Sequence, residues 1–181
     1  MNSIVALTLK LTIPITLGAL CGTISERGGV IMLGVEGMML FGSFFAVLGS
    51  YVSGNAWVGL LFAILSGAVL GWLYCLFCLR FKAHQSVIGV GLNMLASGLT
   101  QVLLKAVWGR EGMSDFVSTI PSIRIPFLSN VPILGAFFSD QTPFFYFTLI
   151  TVAFVWFVFY KSKYGLRYRA IGDHPLAVRT M

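Results

Sequence analysis

An acidic side chain inside an apolar stretch is the first candidate for chemistry in this sequence. Glu36 is the only charged residue between Gly28 and Leu79, and it lies about two turns into an apolar segment at 30–51. An ionised carboxylate is costly in hydrocarbon unless it meets water or a partner, so we expect Glu36 to face the protein interior. Two roles follow: Glu36 borders a path for a polar solute, or it clamps a broken helix by hydrogen-bonding the backbone.

Polar side chains at helical spacing form a second candidate. Asn93 is followed on successive turns by Ser97, Thr100 and Gln101, within an otherwise apolar segment. Such a stripe either lines a water-filled cavity or joins neighbouring helices through hydrogen bonds. The candidate residues of a substrate pathway are therefore Glu36, Asn93, Ser97 and Gln101, with helix packing as the alternative.

The residue types that usually perform covalent or metal chemistry lack companions in this sequence. His84 and His174 have no acidic or cysteine residue at ligand spacing, and all three cysteines, Cys21, Cys75 and Cys78, lie in apolar surroundings. The last two form a CxxC, but further metal ligands and a redox-motif context are missing. No nucleophile elbow, HExxH motif or P-loop occurs. We expect no catalytic residue, metal or cofactor, so any energy from ATP must come from another polypeptide.

The charge of the carboxyl-terminal residues 161–181 indicates their side of the membrane. This stretch holds five Lys and Arg residues against Asp173 and follows an uncharged apolar run at 143–160. Short segments rich in Lys and Arg stay on the cytoplasmic side, so we predict a cytosolic tail. Asp173 and His174 occupy capping positions, and Pro175 suits the first turn of a helix. Such a helix could enter a cleft of a cytosolic partner, or the basic segment could contact anionic lipid.

The composition indicates the class of protein that must position these residues. Hydrophobic residues make up 57% and charged residues 10% of the chain. Soluble domains usually contain about a quarter charged residues, so we predict an all-α integral membrane protein. Most of the formal net charge of +6 lies in the tail, so the charge indicates topology rather than nucleic-acid binding.

Five apolar segments each approach the ~20 residues that cross a bilayer. Pro14 and several glycines could make either of the first two broken or re-entrant. The connection at 80–85 carries two basic residues and is predicted to be cytoplasmic. The stretch 109–142 is predicted to be an external loop that packs as a cap, and 161–181 to be cytosolic, within one transmembrane domain. The predicted membrane segments are 3–24, 30–51, 57–79, 86–107 and 143–160.

Three stretches of the sequence form motifs in a fixed order. They are SERGGVIMLGVEGMML at 25–40, KAHQSVIGVGLNMLASGLT at 82–100 and SKYGLRYRAIGDHPLAVRT at 162–180. They resemble the permease subunits of bacterial ABC importers for nucleosides and simple sugars, the branch associated with basic-membrane-lipoprotein binding proteins. The resemblance covers nearly the whole chain. It implies a helical permease bundle with broken helices, of which this chain looks like the incomplete amino-terminal portion.

The resemblance extends to individual residues. In the first motif, Glu36 matches and Met32 replaces the usual Asn, whereas in the second Asn93 matches and His84 replaces an Asn. The third motif is similar to the coupling-helix region that docks onto the ATP-binding subunit in this family. The candidate coupling residues are Tyr164, Gly165, Leu166, Arg167, Arg169, Gly172, Pro175 and Ala177.

The resemblance implies a transport subunit rather than an enzyme. It would move a nucleoside or a related simple sugar-like solute into the cytoplasm across the bacterial inner membrane, and a cytosolic partner subunit would bind and hydrolyse ATP. A second permease subunit, an external substrate-binding lipoprotein and membrane lipid are the other expected partners, and nucleic acid is not. The residues alone leave an alternative, a self-sufficient channel or ion-coupled secondary transporter with Glu36 at its pathway.

Overall fold

The computed structural model describes residues 2–109, 112–118 and 142–173, except for the side chains of residues 2–6 and 173. Within these ranges all regular elements are helices, which confirms the predicted all-α fold. The helices are α1 (Asn2–Arg27), α2 (Val35–Ser53), α3 (Ala56–Leu79), α4 (Gln85–Trp108), α5 (Pro143–Lys161) and α6 (Lys163–Asp173).

Five of these helices are long and apolar enough to cross a membrane. They are α2 to α5 over their full lengths and α1 from Leu7 onward. A long apolar helix therefore lies at each of the five predicted segments, and the chain is a multi-pass helical membrane protein. The cytoplasmic and external assignments of the connections stay predictions, and most of the predicted external cap lies outside the described residues.

The boundary between α1 and α2 differs from the sequence prediction. α1 continues through Pro14, whereas residues 28–34 are not helical, so α2 begins at Val35. Gly29 has a φ of 82°, a conformation that glycine adopts without steric cost. Glu36 consequently lies in the first turn of α2. Glu36 is still two turns into the apolar run, but the helix starts five residues later than that run.

The chain divides into two compact units, and each is described by itself. The second unit, Ile31–Ile120, contains α2, α3 and α4. α2 and α3 approach closely because glycines remove side chains from their contact: a Cβ added at Gly59 would lie 2.5 Å from the carbonyl oxygen of Ala46. The single transmembrane domain of the sequence analysis stays a prediction. The buried apolar core of the second unit consists of Phe41, Phe44, Leu70, Tyr74, Leu92 and Ala96.

The first unit contains α1, α5 and α6 and comprises Met1–Val30 and Pro121–Met181. α5 starts with Pro143, a residue whose fixed φ suits the first helical position. It ends before Ser162, whose backbone is extended with φ −102° and ψ 148°. The Ser162 hydroxyl accepts a hydrogen bond of 3.2 Å from the backbone N–H of Tyr164, as an N-cap residue does. Ser162 therefore separates α5 from α6, a helix that the sequence analysis did not predict.

Candidate functional site

In the second unit, side chains hold the non-helical residues that precede α2. The hydroxyl of Tyr74 donates to the carbonyl of Ile31 at 2.7 Å, and the backbone N–H of Ile31 donates to Oε1 of Gln85 at 2.9 Å. The Nδ2 of Asn93 donates to the carbonyl of Leu33 at 3.0 Å. Backbone groups that a helix would pair internally thus find side-chain partners, which allows an irregular segment before α2.

Asn93 also binds the first turn of α2. Its Oδ1 accepts a hydrogen bond of 2.7 Å from the backbone N–H of Gly37, one of the N–H groups without an intrahelical partner. A Cβ at Gly37 would lie 2.7 Å from that Oδ1 and 2.8 Å from the Cα of Asn93, so only glycine fits there. The clamp that the sequence analysis considered for Glu36 is therefore made by Asn93.

Glu36 faces a cavity beside this clamp. The cavity has a volume of about 430 Å³, and Glu36 is solvent-exposed in the chain rather than buried. A carboxylate in the first turn is stabilised by the positive end of the helix dipole, and no residue of the described chain binds this one. The cavity, hereafter the Glu36 cavity, is lined by Glu36, Gly37, Leu40, Asn93, Met94 and Ser97. Three of the four predicted pathway residues therefore meet in one place.

The fourth predicted pathway residue, Gln101, does not line the Glu36 cavity. It lines a separate cavity of about 570 Å³ with Val102, Lys105 and Gly112, hereafter the Lys105 cavity. Sequence reasoning missed Lys105, although it continues the four-residue spacing of Asn93, Ser97 and Gln101. Thr100, counted in the same polar stripe, is buried and donates to backbone carbonyls of its own helix. The stripe thus splits into cavity-lining and structural members.

Removal of the Asn93 side chain tests its role as a clamp. Asn93→Ala removes the partners of the Gly37 N–H and the Leu33 carbonyl. Gly37 is buried, and a buried unpaired group costs about 1–3 kcal/mol. We expect a lower midpoint of thermal unfolding for the full-length protein in detergent. Ser97→Ala, in the same cavity, is the matched control and should leave the midpoint unchanged. Equal midpoints for the two variants would contradict the clamp.

In the first unit, one face of α6 packs against α1 and α5. Gly165 is buried, and a Cβ there would meet the backbone of Val158 and Phe159. A Cβ at Gly172, two turns later, would likewise meet the carbonyl of Arg27 at the end of α1. Only glycine permits these two approaches. The seven-residue spacing places both glycines on the same face.

Two larger side chains complete the packed face of α6. The ring of Tyr168 stacks edge to face on Phe159, with centroids 5.5 Å apart. The guanidinium of Arg169 lies over the ring of Tyr160, 5.4 Å from its centroid, and its Nε is buried. A cation over an aromatic face contributes about 0.5–2 kcal/mol, more when it is shielded from water. Arg169 therefore stabilises the attachment of α6 to α5.

The opposite face of α6 is exposed. Tyr164 is 77% exposed, Leu166 65% and Ile171 46%, and Arg167 is exposed among them. Of the predicted coupling residues, Tyr164, Leu166 and Arg167 thus lie on an open face. Gly165, Arg169 and Gly172 face the first unit instead. Pro175 and Ala177, together with the helix predicted to begin at Pro175, lie outside the described residues.

No metal-binding arrangement occurs in the part of the chain that the structure describes. There, no group of three or more His, Cys, Asp and Glu side chains could hold a metal ion. The predicted site residues that the structure describes thus lie at two open cavities along α4 and on a two-faced short helix after α5.

Comparison with known proteins covers the cavities along α4 as well as the helix α6. A family described as branched-chain amino acid transport system / permease component matches residues 4–181. The chain belongs to this permease family. From residue 4 onward, the match includes all six helices that the structure describes. It confirms the resemblance to transporter permeases that the three motifs indicated.

Relatives within the permease family include proteins with named activities. The guanosine ABC transporter permease protein NupQ of Bacillus subtilis is 35% identical over 100% of this chain and 59% of the relative. The nucleoside ABC transporter permease protein NupC of Lactococcus lactis is 34% identical over 98% of this chain and 58% of the relative. A putative glucose ABC transporter permease protein, TsgC13 of Haloferax volcanii, is 34% identical over 96% and 53%.

The chain is shorter than these proteins. It spans between about half and three-fifths of the length of the curated relatives it matches. No solved structure matches the chain.

Proposed function

We propose that this chain forms part of the permease subunit of an ATP-driven ABC importer that moves a nucleoside or a related simple sugar-like solute into the cytoplasm. It contributes a solute path and a docking helix but no covalent chemistry. ATP is bound and hydrolysed by a separate cytosolic subunit. The other partners are a second permease subunit, an external substrate-binding lipoprotein and the lipid of the bacterial inner membrane.

The observation that carries this proposal is the division of α6 into two faces. A helix that transmits force must be fixed to its own subunit on one side and open to a partner on the other. Gly165 and Gly172 seat one face against neighbouring backbone, while Tyr164, Leu166 and Arg167 leave an aromatic, apolar and cationic face open. Aromatic and arginine side chains are the usual anchors of protein interfaces. With the permease match, this supports α6 as a coupling helix on the cytosolic side.

The Glu36 cavity supports the transport part of the proposal. It combines a carboxylate with the amide of Asn93 and the hydroxyl of Ser97 in an otherwise apolar setting. A few convergent polar groups in an apolar cavity of roughly 300–1,000 Å³ are typical of small-molecule sites. The activities in the names of the relatives, guanosine, nucleoside and glucose transport, favour an importer of neutral polar solutes over a self-sufficient channel or ion-coupled carrier.

Charge reversal on the open face of α6 tests the docking role. In the full-length protein, Arg167→Glu should weaken co-purification with the ATP-binding subunit in detergent by about tenfold. Arginine is enriched among the few interface residues whose loss costs more than 1 kcal/mol. Arg80→Glu is the matched control. It makes the same change in charge at an exposed residue of the 80–85 connection, which is also predicted to be cytoplasmic.

The control decides between docking and general electrostatics. If Arg80→Glu weakens the complex as much as Arg167→Glu, a diffuse basic surface is responsible. If neither change weakens the complex, α6 does not dock the ATP-binding subunit through Arg167.

A further inference from the structure

A groove runs along α1 and α5 in the first unit. It consists of two cavities of about 490 and 160 Å³, and both are lined by Val152 and Trp156 of α5. Along α5 the groove extends from Phe145 to Tyr160, an advance of about 22 Å. Half of a hydrocarbon core of about 30 Å is about 15 Å, the depth of one leaflet. This groove, hereafter the α1–α5 groove, is therefore long enough for the acyl chain of a lipid.

The polar side chains along most of the α1–α5 groove bind their own helices. They are four threonines, each of which donates a hydrogen bond of 2.8 Å to the carbonyl four residues earlier: Thr12, Thr16, Thr23 and Thr148. Apart from two arginines at one end, the other described residues that line the groove are aliphatic or aromatic. A polar solute would lose hydrogen bonds to water here, whereas a hydrocarbon chain loses none.

The two arginines at the end of the α1–α5 groove come from different helices. Arg27 is the last residue of α1, and Arg169 belongs to α6. The Nε of Arg169 is buried and has no hydrogen-bond partner among the described residues. Arg27 is exposed, its side chain binds no described residue, and its acidic neighbour Glu26 does not line the groove. Guanidinium groups hold phosphate oxygens through paired hydrogen bonds, so this end can bind a phosphate.

The arginine end of the groove lies at the end of a membrane helix. α5 ends at Lys161, directly after Tyr160, and the ring centroids of Trp156 and Tyr160 lie 6.3 Å apart. Tryptophan and tyrosine are enriched at the depth of lipid headgroups. The basic tail predicts that this end is cytoplasmic, and basic pockets between membrane helices on that side bind anionic headgroups. Charge complementarity therefore favours an anionic lipid over a neutral one.

A protein helix suits the α1–α5 groove less well than a lipid does. One turn of a helix, about 5.4 Å long and about 10 Å across, occupies roughly 400 Å³. The cavity at the arginine end has a volume of only about 160 Å³. Close helix contacts in this chain are made at glycines such as Gly165, and no glycine is among the described residues that line the groove.

We propose that the α1–α5 groove is a binding site for an anionic phospholipid, whose acyl chain lies between α1 and α5 and whose phosphate binds Arg27 and Arg169. The headgroup joins the end of α1 to α6 and adds to the contact that Gly172 makes there. This inference goes beyond the proposed transport function and does not depend on the identity of the solute.

Quenching of tryptophan fluorescence by brominated acyl chains tests this site in the full-length permease. The permease is reconstituted into phosphatidylcholine vesicles that contain a small fraction of brominated phosphatidylglycerol or, in parallel, of brominated phosphatidylcholine. The difference between the unmodified protein and Trp156→Phe gives the quenching of Trp156, which lines both cavities. Brominated phosphatidylglycerol should reach half-maximal quenching at a mole fraction at least about fivefold lower, since one basic residue near an anionic headgroup contributes about that factor.

A second tryptophan provides the control for lipid that merely surrounds the protein. Trp57, at the start of α3, is 59% exposed and lines neither cavity of the groove. Its quenching, obtained from Trp57→Phe in the same way, should be equal for the two brominated lipids.

Removal of one charge tests the position of the headgroup. Arg27→Gln should lower the preference of Trp156 quenching for phosphatidylglycerol by about fivefold. The variant should remain folded, because Arg27 is exposed and its side chain binds no described residue. Lys163→Gln is the matched control, since it removes the same charge from an exposed residue of α6 that lines neither cavity. It should leave the preference unchanged.

Three results would overturn the lipid site. Equal quenching of Trp156 by the two lipids would show bulk lipid without selection for charge. Absence of Trp156 quenching by either lipid would show that protein covers the groove, either another helix of the full-length permease or a second copy. An unchanged preference in Arg27→Gln would remove the headgroup from this end. None of these measurements requires uptake, so the lipid site and the proposed importer can fail independently.

Discussion

Gly165→Ala is expected to lower ATP-driven uptake by the full-length protein at least about tenfold, because overpacking of a tight contact costs about 1–3 kcal/mol. The added methyl group would meet the backbone of Val158 and Phe159, which cannot move aside as a flexible side chain can. α6 must therefore shift away from α5. Alanine is a better helix former than glycine, so the loss cannot come from a weaker helix.

Two measurements identify the cause of this loss. The protein should still insert and purify, because α6 lies outside the five membrane helices, but its co-purification with the ATP-binding subunit should fall together with uptake. Gly22→Ala, on α1 of the same unit, is the matched control, since a Cβ there meets no atom within 4 Å. Uptake by Gly165→Ala at the level of Gly22→Ala would show that the seat of α6 against α5 is not needed.

Glu36→Gln is expected to have the second large effect, a fall in uptake of about tenfold or more. The exchange keeps the shape of the side chain and removes its charge. Hydrogen bonds to an ionised acceptor are roughly twice as strong as neutral ones, so a solute in the Glu36 cavity loses its strongest contact. Uptake of labelled guanosine into proteoliposomes, measured at several concentrations, quantifies the loss.

Stability should change little in the same variant. Glu36 has no partner in the described chain, and the helix-dipole contribution of a carboxylate in the first turn is about 0.3–1 kcal/mol. Glu36→Asp, which retains the charge, should recover part of the uptake. Normal uptake by Glu36→Gln would remove Glu36 from the solute path. Loss of folded protein would instead assign it a structural role.

The sequence was sufficient to predict the class of fold and the approximate places of the five long apolar helices among the described residues. Apolar runs of about twenty residues form helices in a bilayer, because the backbone N–H and C=O groups of each segment must be hydrogen-bonded within it. The start of α2 is set by hydrogen bonds to residues far away in the sequence rather than by hydropathy. The segment 30–51 is apolar throughout, yet Tyr74, Gln85 and Asn93 hold its first residues out of the helix. Hydropathy cannot detect such distant partners.

The candidate site was predicted only in part, because contacts between helices that are distant in the sequence also decide the roles of its residues. Glu36, Asn93 and Ser97 do meet in one cavity. An isolated charge and a polar stripe in apolar segments avoid hydrocarbon, so they tend to face the same polar space. Their roles depend on contacts between helices, and these assign the clamp to Asn93. Lys105 was overlooked because a basic residue in the last turn of a helix is usually an ordinary end signal.

The third motif shows most clearly what the sequence could not predict. Its residues are predicted as one docking group, but helical geometry divides them between two faces of α6. Gly165 and Gly172 lie against backbone, and Arg169 lies over Tyr160, whereas Arg167 points away. α6 itself was missed because its glycines and aromatic residues make a weak helix signal. Its stability comes from packing on α1 and α5.

We expect the full-length permease to transport solute only when a separate ATP-binding subunit acts through α6. The most direct test is uptake of labelled guanosine and glucose by proteoliposomes that contain the full-length permease with its companion permease and binding protein, with and without the ATP-binding subunit. We predict uptake of at least one of the two solutes only when that subunit and ATP are both present, and not in Arg167→Glu. Uptake at an equal rate without the ATP-binding subunit would contradict the account and identify a channel or ion-coupled carrier.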